Sequence, residues 1–298
     1  MTKHEIVIIG NIAMEQNTDC YDNYVVIEGG ACLYASYVAA SLQKDYALVT
    51  KLSKHDEKML KKVWGISGCL YSKFNGRTAA FENNMPNSDR EAVEKVCLQK
   101  GAPFQIDDIP EVDTFLYYFA GDVYGDFPLD TIKYYATKGM IAVDMQAFMN
   151  HVDPTSGRIT IKDYKHKKEL LPYCDFVKAN GFEAEILTGT TDMREACDII
   201  KSWGANEVMI TKGNEVYVLD EEDNLYKENL YSKVRAGRIG RGTTIFTTYI
   251  LGRLFGGTQN SLSYAAAMGS IKLGTLGPVI TSIPDVIRQM ELYHLYED

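Results

Sequence analysis

Gly237-Arg238-Ile239-Gly240-Arg241-Gly242-Thr243-Thr244 is followed by an apolar, β-branched run, Ile245-Phe246-Thr247-Thr248-Tyr249-Ile250-Leu251, and then by Gly256-Gly257. This order reads as a glycine loop opening a buried helix, with the glycine pair as its stop. N–H groups at such a helix start lack intrahelical partners and carry partial positive charge, so they suit a phosphate or a developing oxyanion. Arg238 and Arg241 strengthen that preference. No Gly-Lys-Ser/Thr ends the loop, so it is not a Walker A sequence. The same residues would also make an ordinary glycine-rich turn with two solvated arginines, and the stretch alone does not separate the two readings.

Working outward, Glu5 to Ile9 is a β-branched run ended by Gly10, suiting a buried parallel strand. Tyr24 to Glu28 reads as a strand closed by Gly29-Gly30, and Ala31 to Leu42 is apolar on nearly every face, as a buried helix is. Tyr46 to Thr50 gives a further strand, and Ser53 can cap a helix containing Asp56 to Val63. Cys69 to Glu82, with Asn75-Gly76 as a turn signal, is expected to join Tyr24 to Glu28 in a small sheet that serves as a lid or as packing decoration. Strands at Thr114 to Ala120, Met140 to Asp144, Phe176 to Ala179 and Val208 to Thr211 then alternate with helices at Pro128 to Lys138 and Met193 to Trp203. Tyr217 to Leu219 and Leu225-Tyr226 suggest an antiparallel pair. This rhythm predicts an α/β fold, a mostly parallel sheet with helices on both faces. One domain over residues 1–298 is expected, with a small β lid from about 11–28 and 69–84.

Composition excludes several functional classes. With 46% hydrophobic and 24% charged residues in 298, the chain is that of an ordinary globular protein with a sizeable core. A net charge of −9 argues against a nucleic-acid partner. No apolar run approaches the roughly 20 residues that span a bilayer. The N-terminal residues start a strand directly and show no signal-peptide pattern, so a cytoplasmic location is expected. Cys20, Cys32, Cys69, Cys97, Cys174 and Cys197 are scattered without a Cys-x-x-Cys pair, as small buried hydrophobes of a reducing compartment would be. His4, His55, His151, His166 and His294 do not cluster, which argues against zinc.

Ligands of such sheets bind beyond the carboxyl ends of the strands, and several polar signals fall there. Asn180-Gly181-Phe182-Glu183 follows one strand; its amide and carboxylate suit either a hydrated Mg²⁺ or a helix capping box. Thr211-Lys212-Gly213 follows the next strand, and Asp144 ends its own, where it would bind hydroxyls or cap the next segment. Ala265 to Gly274, containing Ala266 and Gly269, is a small-residue helix that would admit a flat ring or another backbone.

In this order the signals resemble the ribokinase-like (PfkB) family of carbohydrate kinases over nearly the whole chain. The family's early acidic residue is matched by Glu15, five positions after Gly10, and its Gly-Gly before a buried helix by Gly29-Gly30. Its Asn-x-x-Glu is matched by Asn180 and Glu183, and its Thr-x-Gly by Thr211 and Gly213. The late signature Asp-Thr-x-Gly-Ala-Gly-Asp aligns without a gap on Gly237 to Thr243. The resemblance implies ATP-dependent phosphorylation of a hydroxyl on a sugar, nucleoside or polyol. Glu15, Gly29 and Gly30 would line the acceptor pocket beneath the lid, and Asn180 and Glu183 would organise the phosphates and, through water, Mg²⁺. Thr211, Gly213, Ala266 and Gly269 would touch the nucleotide, and the N–H groups of Gly240, Arg241 and Gly242 would form the anion hole. Pairing of two copies through the lid is a further implication.

Three departures bear on that expectation. Thr243 occupies the general-base position, and a threonine hydroxyl does not take up a proton at neutral pH as a carboxylate does. Gly237 stands at the signature's first Asp, so the monovalent-cation site that many relatives build there loses its charged ligand. Tyr34 stands where ribokinases carry a sugar-binding asparagine, and Gly-Gly-x-x-x-Tyr with Gly-Arg-x-Gly-Arg-Gly is reminiscent of a branch with inositol-kinase-like members. Those features point from ribose toward a ring-shaped polyol. A slow kinase and a pseudokinase that binds without turnover both remain open, whereas Gly10-Asn11-Ile12-Ala13 lacks the Gly-x-Gly-x-x-Gly of a dehydrogenase.

Overall fold

The β-branched run His4–Ile9 forms β1, near one end of a nine-stranded sheet. The computed structural model describes residues 3–18, 23–61, 69–74, 76–85, 93–232 and 237–293. Beside β1 lie β4 (Tyr46–Leu52), reaching the edge strand β5 (Cys69–Phe74), and β8 (Thr114–Phe119). Beyond β8 come β9 (Met140–Asp144), β12 (Phe176–Asn180) and β13 (Glu207–Lys212), all parallel. An antiparallel pair, β14 (Glu215–Leu219) and β15 (Leu225–Asn229), closes that end. Both faces of β1 are buried: Ile6 and Ile8 belong to one core cluster, Val7 and Ile9 to the other. That is why the strand is a continuous apolar run rather than an alternating one.

Helix α1 (Ala31–Ser41) packs on the first face with the late helices α5 (Arg241–Arg253), α6 (Thr258–Leu273) and α7 (Ile283–Tyr293). The opposite face carries α2 (Leu129–Tyr135), α3 (Gly181–Thr188) and α4 (Met193–Ser202). No helix among the described residues is long and apolar enough to cross a membrane.

The lid is a separate four-stranded sheet, in the order β3 (Tyr24–Gly29), β2 (Ala13–Thr18), β6 (Ala79–Asn84), β7 (Glu94–Gln99). Strand alternation turns Glu15 and Asn17 of β2, and Phe81 and Asn83 of β6, to one buried face, with Glu15 opposite Phe81 and Asn17 opposite Asn83. The same face carries a small apolar cluster, Ala13, Ala79, Phe81 and Cys97 with Val123, so buried polar and apolar side chains lie side by side under the lid. Its outer side exposes Tyr24 and Val26.

Two expectations change here. Cys69–Phe74 is not a lid strand; it lies parallel to β4 in the main sheet, Ala47 opposite Cys69, and the lid's fourth strand is Glu94–Gln99. The reason is that β5 is half-buried on both sides, Leu70 against one core cluster and Cys69 and Tyr71 against the other. The helix expected over Asp56 to Val63 begins as a 3₁₀ segment, Lys54–Met59, with Ser53 Oγ accepting from His55 N at 3.3 Å. Val63, Cys20, Asn75 and His294 lie outside the described residues.

Candidate active site

The glycine loop opens α5 as its sequence implies. Gly240 is the N-cap at φ 78°, a left-handed conformation, and any Cβ there would fall inside the Tyr34 ring. Thr244 secures the turn twice, its N and Oγ1 bonding Gly240 O at 2.9 and 2.8 Å. Arg241 N donates to Arg238 O at 3.1 Å within the turn. Its N–H, expected in an anion hole, is therefore already paired; Gly242 and Thr243 lie in the first helical turn, where N–H groups have no partner within the helix.

In front of this turn a cleft of about 370 Å³ opens at the carboxyl ends of β12 and β13. Its walls include Lys95, Lys178, Arg238, Arg241, Asn180, Glu183 and Thr211. Four cationic side chains converge there in a chain of net charge −9, so a compact polyanion fits the cleft best. Lys178 is held by Asp144, Nζ to Oδ2 at 2.9 Å and Oδ1 at 3.2 Å, because the parallel register sets the two residues side by side. Burial disfavours the Lys178 charge, but the carboxylates of Asp144 and Glu183 outweigh it and its pKa lies above the ordinary lysine value. Asn180 and Glu183 form a reciprocal capping box, Glu183 N to Asn180 Oδ1 at 2.9 Å and Asn180 N to Glu183 Oε2 at 2.8 Å. Burial raises the pKa of Glu183, with Lys178 opposing.

A smaller chamber of about 40 Å³ lies beneath the lid and is lined by Glu15, Tyr34, Asn83, Asp122 and Lys95. It shares Lys95, Gln146, Ile159, Ile239, Gly240 and Thr243 with the cationic cleft, so the two adjoin, with the glycine loop at their junction. Glu15 is fixed on three sides: Oε1 accepts Gly30 N at 2.8 Å, and Oε2 accepts Tyr34 OH at 2.9 Å and Asn17 Nδ2 at 3.3 Å. Gly29 lies against the same carboxyl group. Asp122 sits past the end of β8 and accepts the N–H of Ala31, the first residue of α1, at 3.2 and 3.3 Å. Burial, then the neighbouring Asp126 and Glu15, raise the Asp122 pKa well above the usual carboxylate range, while Lys95 opposes them.

The structure thus gathers Glu15, Tyr34, Asn180, Glu183, Thr211, Gly240, Arg241, Gly242 and Thr243 around the two adjoining spaces, with Gly29 and Gly30 behind Glu15. It does not bring in the others. Asp144 is fully buried, binds Lys178 and accepts Gln146 N at 3.2 Å, so it caps the segment after its strand, the second of the two roles expected for it. Gly213 sits at the β13–β14 turn, outside the cleft lining. Ala266 and Gly269 are buried in helix packing, and a Cβ at 269 would lie 2.6 Å from Ile245 Cγ1. Sequence reasoning misses Asp122, Lys178 and Lys95. The signals available are a lysine inside an apolar strand and an acid just beyond another strand's end.

Glu183 is also expected to serve Mg²⁺. The described residues contain no cluster of three or more His, Cys, Asp or Glu able to hold a metal. A single buried carboxylate among the cleft's cations fits a Mg²⁺ only if the ion keeps most of its waters and takes its other ligands from a bound anion.

The chain has the ribokinase-like (PfkB) fold. Neither a protein-family model nor a curated protein sequence matches it, but solved structures do, and these neighbours are sugar and polyol kinases. A pyrophosphate-dependent kinase in the ribokinase family, solved with sulfate, is 27% identical with a TM-score of 0.83, over 92% of this chain and 96% of its own. One complexed with a pyrophosphate analog and myo-inositol is 26% identical with a TM-score of 0.84, over 95% and 99%. A pyrophosphate-dependent myo-inositol-1 kinase converted into a myo-inositol-3 kinase by two substitutions is 25% identical with a TM-score of 0.83, over 97% and 99%. Ribokinases and fructokinases, at 12% to 14% identity, share the fold alone.

Proposed function

We propose that the protein transfers a phosphoryl group from inorganic pyrophosphate to a hydroxyl of a cyclic polyol of the inositol type. One observation carries this reading: a cationic cleft and a carboxylate-lined chamber meet at Gly240 and Thr243, so a donor phosphate and an acceptor hydroxyl would meet there too. Pyrophosphate is favoured over ATP because the cleft is rich in cationic groups while, of the four residues expected at the nucleotide, Thr211 alone lines it and Gly213, Ala266 and Gly269 stay outside. The neighbours of 25% to 27% identity, all pyrophosphate-dependent, support the same choice.

In this reading the diphosphate lies between Lys95, Lys178, Arg238 and Arg241, with one end on the N–H groups of Gly242 and Thr243. The acceptor hydroxyl attacks that phosphorus, the bridging P–O bond breaks, and inorganic phosphate leaves. Fixed donors at the helix start stabilise the charge on the transferring group. Asp122, which lines the chamber beside Gly240 and Thr243, takes the hydroxyl's proton in its ionised form, in place of the carboxylate that position 243 lacks. Bound Mg²⁺ would neutralise phosphate charge, with Glu183 holding one of its waters. A pseudokinase would bind the same ligands without turnover, and Thr243 is the feature that favours it.

The test is phosphorus NMR of the protein with Mg²⁺, myo-inositol and either pyrophosphate or ATP. A phosphomonoester appearing with pyrophosphate and not with ATP is the expected result. Transfer from ATP alone would replace the donor, and binding without transfer from either would establish the pseudokinase.

A further inference from the structure

Lys272 is a lysine that the proposed reaction does not use. It lies in the last turn of α6 among small and apolar residues, and it is 0% exposed. No carboxylate pairs with it among the described residues; instead Nζ donates to two backbone carbonyls, Thr275 O at 2.8 Å and Gly237 O at 3.3 Å. Thr275 follows the C-terminus of α6, where a cation is favoured by the helix dipole. Gly237 begins the anion loop, and its N–H returns to the same helix end, bonding Leu273 O at 3.1 Å. A side chain at 237 would collide with Thr275 O and lie 3.2 Å from the ammonium, so glycine there makes room for the lysine. The Tyr34 ring, which packs under Gly240, has its centroid 5.8 Å from Nζ.

We propose that Lys272 is a tethered monovalent cation that positions the anion-binding loop, replacing any need for a dissolved alkali or ammonium ion. Neutral carbonyl oxygens are the donors that such ions accept, and a protonated lysine supplies the same charge while tethered to the chain. By fixing Gly237 to the end of α6, the ammonium sets where the N–H groups of Gly242 and Thr243 stand. It is a positioning residue, and its role in catalysis rests on the phosphoryl-transfer reading. The charges it meets are Glu15 on β2, which favours the ammonium, and Arg241 on α5, which opposes it; the Tyr34 hydroxyl on α1 is bonded to Glu15. Burial brings the Lys272 pKa down to about 7, and an anion bound at the loop favours the charged form.

The experiment compares wild type, Lys272→Met and Lys272→Ala in tetramethylammonium, potassium and ammonium chlorides at equal ionic strength. Melting temperature, affinity for imidodiphosphate and transfer rate are measured in each salt. Wild type should give the same values in all three. Lys272→Ala should lose donor affinity and rate by about tenfold to a hundredfold in tetramethylammonium, as expected for a misplaced phosphate cradle. Potassium or ammonium should restore most of that loss and raise its melting temperature. Lys272→Met, which fills the space, should fold like wild type, lose the same activity and respond to neither ion. Wild-type donor affinity should weaken as pH rises above about 7, and both variants should lose that limb. Activation of wild type by potassium, or a folded Lys272→Ala indifferent to all three ions, would overturn the proposal. Absence of imidodiphosphate binding by wild type would instead count against the phosphoryl-transfer reading, while the melting temperatures would still decide the lysine's role.

Discussion

Lys178→Met removes the cation from the most deeply buried ion pair in the site while keeping a side chain of similar length. Asp144 is 0% exposed and Lys178 4% exposed, so water cannot replace the lost partner. At the 2.9 Å separation the Coulomb attraction is about 6 kcal/mol in an effective dielectric of ~20. The ammonium recovers hydration on unfolding, which leaves about 3–5 kcal/mol of destabilisation. That is a large part of the ~5–15 kcal/mol that holds a domain together. Urea unfolding followed by circular dichroism measures it. Adding Asp144→Asn should recover at least half of the loss, since no unpaired charge then remains. The single variant should also bind pyrophosphate more weakly, because Nζ lies 2.9 Å from where a Cβ on Gly242 would sit, against the start of α5. A loss below about 1 kcal/mol at every pH, the value of a surface pair, would refute the reasoning.

Asp122→Asn should lower kcat by about 10² to 10⁴ with little change in KM, and adding Thr243→Asp should return part of the rate. For the wild type, kcat/KM should fall as acid protonates Asp122, since only its carboxylate accepts a proton; burial, then Asp126 and Glu15, move that limb upward and Lys95 moves it down. Gly240→Ala forces a left-handed backbone on a side chain, about 1–2 kcal/mol, and displaces the Tyr34 ring from its bond to Glu15, a further 1.5–3 kcal/mol or so. Unfolding should report both, and the same variant should show a raised KM for the polyol.

The parts of the site legible in the sequence were those whose chemistry is local. Gly240 and Thr244 encode a helix start within five residues, and Asn180 and Glu183 make a box three apart, which is also a cleft wall. The alternating strands and helices implied the parallel sheet because β-branched runs buried on both faces have few other solutions. Long-range pairings were not legible. Lys178 and Asp144 are 34 residues apart and meet only through strand register, and Asp122 reaches the chamber under the lid only because β8 lies beside β1. Ala266 and Gly269 misled because small residues on a helix suit a ring and a neighbouring helix equally, and here Ile245 is the neighbour. Cys69 to Phe74 misled in another way: a short β-rich run does not say which sheet it joins, and here it pairs with β4 in the main sheet.

A crystal structure with imidodiphosphate and myo-inositol tests the two-chamber arrangement most directly. The expected electron density has one phosphoryl group on the N–H groups of Gly242 and Thr243, the other among Lys178, Arg238 and Arg241, and a ring hydroxyl between Asp122 and the nearer phosphorus. Diphosphate bound on another face of the sheet, or polyol outside the space under Glu15 and Asn83, would contradict it.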